Sequence, residues 1–185
     1  MRQWTEAAIG RRQLAKAMRR LVIDGFQIRD VLVDGDSAQH SDRLLVGPQG
    51  IFLVGFRTLP SNIWRPGRGE PSADTMAAYA QATHRLAEVV SASLLSELVR
   101  LHVRVHPLLA LIGPEQPPGA LIAGIPVLGP AALLDHLTSG PHVLTPMQVD
   151  ALVDRIDDWL ALRSVTTLHS RGGRPGHLRS NRKSL

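Results

Sequence analysis

The chain has 185 residues, 44% of them hydrophobic and 20% charged, which suits one sizeable globular domain and excludes fibrous, collagenous and highly charged disordered classes. It contains no cysteine, so neither a disulfide nor a thiolate metal site is available. The net charge of +5 invites a nucleic-acid reading, yet the excess lies in Arg171, Arg174, Arg179, Arg182 and Lys183; residues 1–163 carry 16 basic and 16 acidic groups. A domain over 1–163 and a basic, disordered tail over 164–185 are therefore expected, the tail being rich in Gly, Pro, Ser and Arg. Such a tail serves either as a loose grip on an anionic polymer or as a solubilising extension. The opening MRQWTEAAIG has no apolar signal core, and Pro117, Pro118, Pro126 and Pro130 break the longest uncharged stretch. A cytoplasmic protein without a membrane partner is the expectation.

In chain order, residues 4–22 predict an amphipathic helix. Ala7, Leu14, Ala17, Met18 and Leu21 form its apolar stripe, Arg12, Lys16, Arg19 and Arg20 gather on another face, and Asp24-Gly25 stops it. A β-branched strand follows at 28–34. Two apolar runs, 42–47 and 51–57, flank Pro48-Gln49-Gly50, whose proline and glycine suit a tight hairpin turn. The Pro- and Gly-rich stretch 58–70 leaves room for a short strand at 62–65. Ser72 caps a long helix over 73–98, with Asp74 in its first turn. Strands are predicted at 103–112 and 120–128, and Pro130 opens a short helix to 137. Thr145, Pro146 and Gln148 then form a capping signature for a last helix to about 162. That helix buries Val149, Leu152, Val153, Ile156, Trp159 and Leu160 and sets Asp150, Asp154, Asp157 and Asp158 on its other side. The order predicts an α/β domain with a mixed central sheet flanked by helices.

The segment Ser41-Asp42-Arg43-Leu44-Leu45-Val46-Gly47-Pro48-Gln49-Gly50-Ile51-Phe52-Leu53-Val54 resembles the core of the nuclease-related domain (NERD) family, within the restriction-endonuclease-like PD-(D/E)xK superfamily. Its pattern is an acid leading an apolar strand, Gly-Pro-x-Gly, and a strand ending in acid-x-Lys. The elements at 107–112, 124–128, 133–137 and 140–145 follow the order common in its bacterial members, so the resemblance covers about residues 5–162. It implies a restriction-endonuclease-like sheet and, in an intact member, Mg²⁺-dependent hydrolysis of a phosphodiester.

That chemistry needs carboxylates to hold the metal and a lysine to orient or deprotonate water. If Gly47 and Gly50 close the turn, Asp42 lies opposite position 55, and positions 55 and 57 share a face. The second acid is replaced by Gly55 and the lysine by Arg57, which stays protonated and cannot act as a base. The resemblance also places a Gly-Glu pair on the first helix, where this chain has Gly10-Arg11; Glu6 on the same helix points about 140° away. One carboxylate, Asp42, beside Arg57 and Arg11 points to an ion pair, not a metal site. Rescue by Asp34, Asp36, Glu70 or His40, or a polar contribution from Gln81 on the long helix, would require groups the motif does not supply. His84, His102, His106 and His136 have no metal-ligand spacing.

Three readings stay open. In the first, an inactive nuclease-related domain binds DNA or RNA through Arg11, Arg12, Lys16, Arg19, Arg20 and Arg57. In the second, the scaffold serves a protein partner. In the third, it is an active nuclease with a rearranged site, Asp42 holding Mg²⁺; the first two need no cofactor.

Overall fold

The computed structural model describes residues 2–31, 40–58, 73–112 and 120–171. Helix α1 (Arg2–Ile23) is followed by strands β1 (Gln27–Val31), β2 (His40–Gly47) and β3 (Gly50–Thr58). Helices α2 (Ala73–Ser93) and α3 (Leu95–Leu101) lead to strand β4 (Val105–Ile112). Strands β5 (Leu121–Ile122) and β6 (Ile125–Leu128) precede helices α4 (Pro130–Thr138) and α5 (Pro146–Arg171). The six strands form one mixed sheet in the order β1-β2-β3-β4-β6-β5. β1, β2 and β3 run antiparallel, β4 pairs parallel with β3 and β6, and β5 folds back on β6. This single mixed sheet flanked by helices is the α/β architecture expected from the sequence, and it is consistent with the restriction-endonuclease-like class.

Strand alternation decides which helix covers which face. Leu44, Val46, Ile51 and Leu53 point towards α2, α3 and α5, packing with Leu86, Val90, Leu98, Val149, Leu152 and Ile156. Their neighbours Leu45, Phe52, Val54 and Phe56 point the other way, onto Met18 and Leu21 of α1 and Leu133 and Leu137 of α4. β4 lies between β3 and β6 and is covered on both sides, which explains its nearly unbroken apolar run. At the hairpin, Gly47 pairs with Gly50, whose φ of +130° suits a residue without Cβ.

Three departures from the predicted elements have local causes. The helix predicted over 73–98 is interrupted at Leu94, whose φ of −110° and ψ of 15° leave the helical region, and resumes to Leu101. Just before it, Ser91 and Ser93 donate their hydroxyls to the carbonyls of Ala87 and Val89, a back-bonding that bends helices. The strand predicted over 120–128 is a hairpin, because Ala123 (φ 50°) and Gly124 (φ 78°) form a two-residue turn with both φ values positive. The last helix continues to Arg171, so the first eight residues of the expected disordered tail are helical. The short strand at 62–65, the Ser72 cap and residues 172–185 lie outside the described residues.

The α5 cap forms as its sequence dictates. Gln148 N–H donates to Thr145 Oγ1 at 3.3 Å, and Thr145 N–H donates to Gln148 Oε1 at 2.8 Å. Replacing Thr145 by Ala should lower stability by about 1 kcal/mol. Urea unfolding of the two proteins measures this, and an unchanged midpoint would deny the cap its role.

Candidate functional site

The site expected from the hairpin is built as the register requires. Asp42 faces Gly55 directly across the β2–β3 ladder, and Arg57 stands opposite His40. Arg57 is thus the diagonal neighbour of Asp42 on the same face, within reach of a long side chain. Its Nη1 donates to Asp42 Oδ1 at 2.8 Å and to the Phe56 carbonyl at 2.9 Å. Both side chains of the pair are only 4% exposed.

The rest of the centre comes from α2. Tyr79 and Thr83, one helical turn apart, look down on the strands: the Arg57 guanidinium lies 5.2 Å from the Tyr79 ring centre, and Thr83 is fully buried. A Cβ at position 55 would collide with Thr83 Oγ1 and stand 3.1 Å from Asp42 Oδ1. Gly55 is therefore the residue that lets Thr83 and Asp42 approach. Thr83 Oγ1 and Arg57 Nε are buried and have no hydrogen-bond partner among the described residues.

This donor set does not fit a divalent metal. Among the described residues one carboxylate converges, a guanidinium occupies the position beside it, and a hydroxyl fills the space that a side chain at position 55 would take. Among the described residues no three His, Asp or Glu side chains cluster as metal ligands. Asp34, Asp36 and Glu70 lie outside the described residues, as does the side chain of His40.

The other residues singled out by sequence are placed elsewhere. Arg11 is exposed on α1, which packs on the opposite face of the sheet, and no ion pair joins it to Asp42. Arg12, Lys16, Arg19 and Arg20 are exposed on the same helix, Arg20 pairing with Asp24 at 3.1 Å. Arg57 does not belong with them as a phosphate contact, because it is buried and held by Asp42. Gln81 is exposed; the residue that α2 presents to the centre is Thr83, two positions on. The phase of α2 is the missing information, and the only hint in the sequence is the glycine opposite. The acidic side of α5 is partly spent within the chain. Asp157 accepts two bonds from Arg29, at 2.6 and 2.9 Å, and Asp150 accepts one from Gln27. The Arg29 hydrogen bond holds the Asp157 carboxyl below its usual range.

The sequence matches no family model, and neither curated proteins nor solved structures match it. No described helix is long and apolar enough to cross a membrane.

The buried pair and a histidine on β4 each give a measurable consequence. Removing one member of a buried pair strands the other, so Asp42→Asn or Arg57→Met should each cost about 3 to 5 kcal/mol. The double variant Asp42→Leu/Arg57→Met should recover most of that in urea unfolding; additive losses would mean that the two charges act separately. The histidine is His106, its ring centre 5.6 Å from that of Phe52 with the two planes tilted by 35°. Burial first, then Arg104 and His136, hold its imidazole below the ordinary range. The unfolded chain then binds more protons than the native one just below pH 6.5, so stability falls as the solution is acidified through that region. His106→Gln should flatten this slope in unfolding measured at several pH values, and an unaltered slope would assign it to other groups.

Proposed function

We propose that this chain is a nuclease-related domain whose hydrolytic centre has become an ion pair, and that it binds DNA or RNA without cutting it. The observation that carries the reading is Arg57 seated on Asp42, with position 55 closed by Thr83. A nuclease of this type needs at least two ligands for Mg²⁺ and a group able to accept or orient a proton at neutral pH. Here the centre offers one carboxylate, already neutralised, and a permanently charged arginine. No cofactor is part of this reading.

Binding to nucleic acid is supported by the exposed Arg11, Arg12, Lys16 and Arg19, which carry fixed charge suited to phosphates. The cytoplasm is the location we infer with it. A second reading, a module for a protein partner, is favoured by Val89, Leu95 and Val99, which stand 46%, 60% and 65% exposed on α2 and α3.

Incubation of labelled DNA and RNA with the full chain and Mg²⁺ or Mn²⁺ separates these readings. The expected result is binding that weakens steeply with salt and no product. Metal-dependent cleavage would replace this reading with an active nuclease. No binding at low salt, together with a stable protein complex in size exclusion, would favour the interaction module.

A further inference from the structure

The densest run of unpaired charge gives the nucleic-acid reading one seat, and that seat rests on the reading. Exposed Arg85, Arg100 and Arg104 also make no ion pair among the described residues, but they are scattered, and Glu88 and Glu97 lie within three residues of the first two. The described arginines on the strands, and Arg155 on α5, are matched by acids: Arg29 by Asp157, Arg43 by Asp30, Arg57 by Asp42 and Arg155 by Glu97. Among the described side chains of α1 only Arg20 has such a partner, in Asp24. Among the described residues Arg11, Arg12, Lys16 and Arg19 make no ion pair, and no acid occurs between residues 9 and 23.

At 100° per residue these four cations span an arc of about 140° on the outer half of α1. Leu14, Ala17, Met18 and Leu21 fill the inner half, and the last two are buried on the sheet. From Arg11 to Arg19 the helix rises about 12 Å. A duplex presents roughly one phosphate charge per 1.7 Å of its axis, so about seven lie along that length. An anionic membrane is the poorer match: Ile9, Val22 and Ile23 are exposed on α1 but lie at the two ends of the cationic run, and between them the outer arc carries nothing more apolar than Ala15.

We infer that nucleic acid seats along α1, on the face of the sheet opposite the Asp42–Arg57 centre. The contacts are to the phosphate backbone, made by Arg12, Lys16 and Arg19 with Arg11 at the margin. Asp135, exposed on the neighbouring α4, limits the seat on that side. The bound polymer then runs over one face while the altered centre is sealed under α2 on the other. Loss of the metal site and retention of binding are physically independent on this arrangement.

The test is fluorescence polarisation of a labelled DNA duplex with the full chain over a range of salt. Three proteins are compared: the parent, Arg12→Ala/Lys16→Ala/Arg19→Ala, and Arg85→Ala/Arg100→Ala, whose cations are exposed on α2 and α3. The α1 variant should bind about tenfold or more weakly at low salt, and its salt slope should fall by about three. The α2–α3 variant should match the parent. Circular dichroism checks that the helices persist, and Arg19→Glu gives a single-site variant should the triple one unfold. Equal binding by the parent and the α1 variant overturns the seat and assigns the grip to another basic segment. Loss of binding in the α2–α3 variant alone overturns it in favour of the opposite face. No duplex binding by the parent removes the nucleic-acid reading itself, and phosphatidylserine vesicles bound in its place would identify a lipid surface.

Discussion

A guanidinium and a carboxylate, both taken out of water, set the terms for the centre of this molecule. The Asp42–Arg57 pair is nearly sealed, and the desolvation of two charges is repaid only by good geometry and by further hydrogen bonds. The Phe56 carbonyl and the Tyr79 ring supply part of that compensation. The unpartnered Arg57 Nε and Thr83 Oγ1 leave it incomplete, at a cost of about 1 to 3 kcal/mol for each such group. The pair is thus poorly explained as a stabiliser. It is better understood as the arrangement that keeps each of the two charges tolerable at a buried position.

Everything near the pair depends on its register. With Gly47 opposite Gly50, Asp42 must face position 55, and Arg57 must fall on the diagonal. The same alternation sends Leu45, Phe52, Val54 and Phe56 to the other face, where α1 and α4 cover them. A slip of one residue would exchange these sets between the two helix-covered faces and place two charges among the aliphatic side chains beneath α1 and α4. Gly55 then permits α2 to descend until Thr83 touches the strand. The chemistry of the centre and the packing of α2 are consequently one constraint.

Whether a feature is legible in the sequence depends on whether it is local. The hairpin, its register, the sharing of one face by positions 42, 55 and 57, and the capping of α5 by Thr145 are all written in neighbouring residues. The choice between Gln81 and Thr83 depends on the rotation of α2 about its axis, which only its packing on β3 and β4 fixes. Arg11 is expected beside the pair because its helix carries the corresponding acid in the family it resembles. Its real location depends on which face of the sheet receives α1, and no local pattern states that. The turn at Ala123 is hidden because alanine seldom takes a positive φ. The acids of α5 look like a solvated side until β1 supplies Gln27 and Arg29 as partners.

The proposed reading turns on Arg57 occupying the place where a nuclease-related domain would hold a metal. Mn²⁺ titrated into the intact protein tests it directly, because the ion broadens the amide resonances of residues close to it. With Arg57 in that place, the amides of Asp42, Gly55 and Arg57 should stay as sharp as the rest of the sheet interior. Selective broadening of those three at low Mn²⁺ would contradict the claim and restore a metal to the centre.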